Sequence, residues 1–182
     1  MKYMRLMIRK NRMLLALAMF CVLALAAARL FAVPAQSTPA SSNTYEWSGE
    51  LVALDEPSRM LTVKTNVVGD QALKELPAFK PGERIALTFS GYDKYASGIY
   101  RVAKYDATKK SDERFTFPVE FVSYDTAHQY VTFKTQIPAE DIAKIKSLKP
   151  GEWVTATSQH GESAKTQPIV MIRPFVISPA KS

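Results

Sequence analysis

Two histidines, His128 and His160, are the side chains beyond residue 35 that titrate near neutrality, because the single cysteine, Cys21, lies in an apolar leader. They fall in unlike settings. His128 closes the turn Asp125-Thr-Ala-His128 and His160 sits in Ser158-Gln-His-Gly-Glu162, so both read as solvent-exposed loop residues. Catalysis needs a nucleophile, base or metal held together. No zinc-protease, nucleophile-elbow, phosphate-loop or calcium-loop pattern occurs. The expectation is therefore no enzyme and no cofactor. Met60 and Met171 with His160 form an alternative, soft-metal set, since thioethers favour Cu(I), with Trp47 and Trp153 as further members. Both methionines occupy strand positions, where packing is the plainer role. The remaining candidate is the loop Ser90 to Gly98, in which Tyr92, Asp93, Lys94 and Tyr95 would contact a ligand. A phenol ring on a loop supplies contact area and its hydroxyl a hydrogen bond, suiting an envelope protein or a glycan. The competing expectation is that both rings fold back over the rim of the fold. Tyr100 and Tyr105 are assigned to the same face.

Charge narrows the partner class. The chain has 182 residues, 24 Lys/Arg, 17 Asp/Glu and a net charge of +7. Six of the bases, and no acid, lie in residues 1–35, leaving eighteen against seventeen in the rest. A near-neutral body lacks the clustered cations that phosphate backbones require, so nucleic acid is not expected as a partner. Lys144, Lys146 and Lys149 read as the solvated face of a helix. Five positive charges in Met1–Arg12 precede a sixteen-residue apolar run, Met13–Ala28, which is the pattern of an export signal. Small residues at −3 and −1 occur at Ala26/Ala28 and, with Val at −3, at Val33/Ala35, and cleavage is expected after Ala35. The alternative is an uncleaved membrane anchor over residues 13–35, the only membrane contact foreseen. Either reading places the remainder in the periplasm or outside the cell. Residues 36–43, free of large apolar groups, read as a tether.

Self-similarity supplies the elements that must position these residues. Glu50–Thr65 aligns without gaps on Glu120–Thr135, seventy residues on, with identities at Glu50/Glu120, Val52/Val122, Asp55/Asp125, Thr62/Thr132, Lys64/Lys134 and Thr65/Thr135. Lys80-Pro-Gly-Glu83 recurs as Lys149-Pro-Gly-Glu152. Two copies of one module follow, over residues 44–105 and 115–178, with 106–114 as a linker. Strands are predicted at 45–54, 59–65, 84–90 and 98–105, and at 115–124, 129–135, 152–158 and 167–177, from β-branched and aromatic content with partial alternation. Gly49 and Pro118 should bend each first strand. Pro and Gly at the centre of Lys-Pro-Gly-Glu satisfy a type II turn. Short helices are predicted over Gln71–Leu76, with Asp70 as cap, and Pro138–Leu148, plugging the barrel ends.

The order of bent strand, hairpin, short helix, Pro-Gly turn and final strand pair resembles the small Greek-key barrel of the OB type. Gly49, Val52 and Asp55, then Leu61–Thr65, then Leu148-Lys-Pro-Gly-Glu-Trp-Val154 are similar to OB-like modules of exported bacterial proteins and to periplasmic copper/silver-binding proteins of efflux systems. That resemblance implies an all-β chain with short capping helices, built as two tandem OB-like barrels related by internal duplication. The copper family's His, Trp and Met-x-Met ligands have no counterpart in residues 66–79 or 136–148. The expected role is a non-enzymatic binding or structural protein of the bacterial envelope, with a metal carrier or a glycan- or protein-binding adaptor as alternatives.

Overall fold

The computed structural model describes residues 43–110 and 113–176. The leader, most of the tether and the cleavage positions lie outside the described residues. Among the described residues no helix is long and apolar enough to cross a membrane.

The first half comprises β1 (Thr44–Asp55), β2 (Met60–Asn66), α1 (Asp70–Glu75) running into a 3-10 turn (Leu76–Ala78), β3 (Arg84–Tyr92) and β4 (Tyr95–Lys104). The second comprises β5 (Thr116–Asp125), β6 (Tyr130–Gln136), a 3-10 turn (Ala139–Asp141) leading into α2 (Ile142–Ile145), β7 (Trp153–Gln159), α3 (Ser163–Thr166) and β8 (Ile169–Pro174). Alternation explains the strands: Tyr45, Trp47 and Leu51, Leu61 and Val63, and Val131 and Phe133 are buried at every second position. The helix predicted over Pro138–Leu148 is shorter and begins as a 3-10 turn.

The hairpins β1–β2 and β5–β6 share one geometry. Glu50 pairs with Lys64 and Glu120 with Lys134, and the register shifts between Leu51 and Ala53 and again between Phe121 and Ser123. Each turn is tied by its aspartate, Asp55 accepting from the Ser58 hydroxyl and Asp125 bonding His128 Nδ1. Each then passes through a left-handed residue, Arg59 or Gln129, at φ 57°.

All eight strands belong to one sheet, ordered β2-β6-β5-β3-β4-β1-β7-β8, and β2 also pairs with β1, so six strands close into a barrel. Separate barrels for the two halves are not what forms, because each Pro-Gly turn docks on the other half. The Gly82 N–H donates to Phe121 O and the Phe121 N–H to Glu83 O, both at 2.8 Å. In return the Gly151 N–H donates to Leu51 O at 2.8 Å and the Leu51 N–H to Glu152 O at 2.7 Å. Pinned this way, β3 pairs antiparallel with β5 and β7 with β1. The hairpins meet along β2–β6, where Val67 N–H donates to Gln129 O and Ile137 N–H to Arg59 O.

The short helices guard edges as well as burying Ala72, Leu76 and Ile145 in the common core. Gln71 donates to Val102 O at 2.8 Å and accepts from the Val102 N–H at 2.9 Å, standing in for a neighbouring strand. Close docking of α1 on β4 needs Gly69, where a Cβ would lie 1.9 Å from Tyr100 O. Asp141 does the corresponding work on β8, with Oδ2 accepting the buried Ile172 N–H at 2.8 Å and Oδ1 bonding Lys144 at 2.5 Å. Side chains that occupy exposed edges in this manner blunt pairing with other chains.

Asp141→Ala strands the Ile172 N–H in the core, and should lower unfolding free energy by about 2–3 kcal/mol. Asp141→Asn keeps an acceptor there and loses only the half-exposed Lys144, so its urea midpoint should fall by less than half as much.

Candidate functional site

Strands β3 and β4 continue into the expected loop at Ser90–Gly98 and leave only Asp93 and Lys94 as a two-residue hairpin turn. Asp93 takes φ 54°, which a short polar side chain tolerates in such turns. The turn is anchored, since Lys94 O accepts the Glu46 N–H at 2.7 Å and Asp93 O accepts from Arg114 at 3.3 Å. Tyr92 and Tyr95 are direct cross-strand partners, so both rings leave the same face. They do not fold back over the rim: Tyr92 is 88% and Tyr95 68% exposed. Tyr105 does not join them, being stacked beside the Arg84 guanidinium at 4.7 Å.

The face they edge is the outer surface of β1, β7 and β8. Ser48 pairs with Thr155 and Thr155 with Arg173, which puts these three side chains in one cross-strand row. Arg173 forms an ion pair with Glu46 at 3.2 Å, two residues along β1 on the same face. Ser48 and Thr155 hydroxyls lie 3.4 Å apart. This polar row floors a groove of about 240 Å³, walled by Tyr95 and Ala96 on one side and Phe175 and Val176 on the other. Trp153, at the outward position before Thr155, continues the wall, its ring 6.4 Å from that of Phe175. A second cleft, beneath α3, is already strapped: Lys165 donates to the backbone carbonyls of Ala107 and Lys109 in the linker.

His160 is not an exposed loop residue. It is 5% exposed, stacked on Tyr45 at 4.7 Å and set edge-on to Phe115 at 4.9 Å. Its Nδ1 accepts the Phe115 N–H at 3.0 Å, so a neutral ring carries its proton on Nε2, which has no partner. Its own N–H donates to Asn43 O at 3.0 Å. Phe115 is held at φ 59°, with its ring filling the space a Cβ on Gly91 would take, 2.6 Å away. His160 thus joins the end of β7, the start of β5 and the entry to β1. The sequence offered no periodic signal for this, since the residue follows a strand and precedes a glycine. Burial first, and then the nearby Arg114 charge, hold its pKa below the ordinary histidine value. The Tyr45 phenol beside it is pushed well up by burial, against a smaller downward pull from the Ser158 hydroxyl. Ser158 Oγ in turn accepts from Trp47 Nε1 at 2.8 Å.

The soft-metal set is not assembled. Met60 pairs with Asp55 at one end of β1, whereas Met171 pairs with Thr157, which faces Glu46 at the other. Nine residues of strand separate those levels, roughly 30 Å. His160 Nδ1 is occupied and Trp47 is sealed in the core. Among the described residues no three His, Cys, Asp or Glu side chains converge. His128 is exposed as expected and serves its turn, where its ring is the main cause holding the Asp125 carboxyl below the usual range. In the lysine stripe, Lys144 is committed to Asp141. Comparison of the chain with protein-family models, with curated sequences and with solved structures gives no match.

The residues missed by sequence reasoning are Glu46, Arg173 and Phe175, and Trp153 was weighed only as a soft-metal ligand. Counting by twos from the apolar pair Val154 and Ala156 puts Trp153 and Thr155 on the other face, a signal that alternation could have supplied.

Acid should act through His160. The folded chain resists protonating this ring while the unfolded chain takes a proton near pH 6.5, so unfolded molecules bind more protons below that point and stability falls on acidification. Between pH 7 and pH 5, about the window of an unperturbed histidine, His160→Gln should show a flatter stability profile than the parent chain in urea titrations. Parallel profiles would count against this.

Proposed function

We propose that the chain is a non-enzymatic binding protein of the bacterial envelope, exported to the periplasm or beyond, which engages its partner through the aromatic face of β1, β7 and β8. The observation that carries this reading is the exposure of Tyr92 and Tyr95 on an anchored hairpin, beside a groove whose far wall is Phe175. Single exposed apolar residues are ordinary, but a rimmed cluster on one face marks an interaction site. A rigid turn also lowers the ordering cost of binding, because the rings are already placed.

Export is supported by the basic and apolar leader, Met1–Ala28, ahead of a near-neutral body. A non-catalytic role is supported by the histidines, one used in a turn and one buried as a structural acceptor. We further read the chain as a duplicated module whose copies have exchanged strands. In support, Gln71/Val102 and Asp141/Ile172 repeat one edge-guarding bond at a spacing of seventy, and the docking bonds of the two Pro-Gly turns are reciprocal.

Both tyrosine rings point to solvent, so the Tyr92→Ala, Tyr95→Ala double variant should unfold within about 0.5 kcal/mol of the parent chain. Immobilised on beads and exposed to envelope extract, it should lose the components that the parent chain retains. Retention of the same components by both proteins would contradict the assignment of this face.

A further inference from the structure

We infer that the groove between Tyr95 and Phe175 takes a pyranose ring of a neutral glycan; this rests on the reading of the face as a binding surface and gives it a ligand class. The floor decides the chemistry. Glu46 and Arg173 are paired at 3.2 Å and cancel each other's charge, so the groove presents no net field to attract a phosphate, a uronate or a cationic peptide. What it does present is a closely spaced set of directional groups: carboxylate oxygens that accept, guanidinium N–H groups that donate, and the half-buried Ser48 hydroxyl that does either, backed by the buried Thr155 hydroxyl. Vicinal hydroxyls of a sugar match such a set, each serving as donor and acceptor at once. The Glu46–Arg173 pair is already satisfied within the free chain, and a sugar hydroxyl can join it as donor and acceptor at once, whereas an apolar side chain makes no use of it.

The walls fit the rest of the ring. Tyr95, 68% exposed, and Phe175, 45% exposed, stand on opposite sides of the floor, and Trp153 lies next to Phe175. An aromatic face is electron-rich and apolar, and the C–H-bearing face of a pyranose can lie against it while the equatorial hydroxyls turn to the floor. The volume agrees, since about 240 Å³ is below the ~300–1,000 Å³ of sites for drug-sized molecules and suits one ring at a time. Tyr92 lies beyond Tyr95 on the next strand, so a neighbouring sugar of a chain has a second exposed ring to rest on.

The full chain is titrated with neutral hexasaccharides built from glucose, mannose, xylose or N-acetylglucosamine, and tryptophan fluorescence is followed. Trp47 is sealed and Trp153 is 43% exposed, so a saturable change reports the groove. At least one sugar should bind below about 1 mM, the affinity at which ~4 kcal/mol is released. Phe175→Ala and Arg173→Gln should each weaken binding at least tenfold, about 1.4 kcal/mol, with far-ultraviolet circular dichroism unchanged. Absence of any response among the four sugars overturns the inference, as does binding that neither variant weakens. A polypeptide cross-linked at Tyr95 in a chain that binds no sugar overturns the glycan while leaving the binding face intact, whereas loss of nothing in the tyrosine double variant removes the face itself.

Discussion

The structure depends on a reciprocal exchange of backbone hydrogen bonds, in which the Pro-Gly turn of each half is seated on the bent first strand of the other. Four bonds, Gly82 and Glu83 with Phe121 and Gly151 and Glu152 with Leu51, set where β3 and β7 begin. Each contributes only about 0.5–1.5 kcal/mol net. Their larger effect is on register, because a slip of one residue would turn Leu87, Phe89, Val154 and Ala156 out of the core and expose the row of polar residues between them to it.

With β3 seated on β5 and β7 on β1, the two halves differ in how they end. In the first, the tight turn at Asp93 and Lys94 brings β4 back to β1, with Glu46 opposite Tyr95, and the barrel closes. In the second, the link after His160 is taken up by α3, which packs on β5, and β8 stays paired with β7 alone. The sheet of β1, β7 and β8 therefore has one face on the core and one face open. Antiparallel sheets support that division readily, and it is on this open face that Arg173, Trp153 and the tyrosine hairpin converge. His160 sits at the junction of the same elements, as an uncharged acceptor that lets Phe115 adopt its left-handed backbone.

Much of the fold was legible in the sequence, because period-two burial and turn chemistry are local. Strand bounds fall within a few residues of expectation, and Asp55, Asp125 and the Pro-Gly pairs mark real turns. The same locality explains the misreadings. Nothing in Lys-Pro-Gly-Glu says whether the following strand pairs with its own hairpin or with the other one, since both hairpins offer nearly the same edge. The candidate site was half visible: Tyr92 and Tyr95 stood out by composition, but the groove needs Arg173 and Phe175 from the far end of the chain, and only the pairing of β1 with β7 and of β7 with β8 brings them to Glu46. His160 looked like a loop residue because the rings that pack against it, Tyr45 and Phe115, are both remote in sequence.

Interdependence of the halves is tested most directly by making them separately, one fragment ending at Lys110 and the other beginning at Glu113. Each alone lacks the strand that covers its first strand, so each alone should show no cooperative unfolding transition, and mixing should restore one together with the near-ultraviolet dichroism of the stacked aromatic core. A first fragment that unfolds cooperatively by itself, as a barrel of its own, would contradict the account.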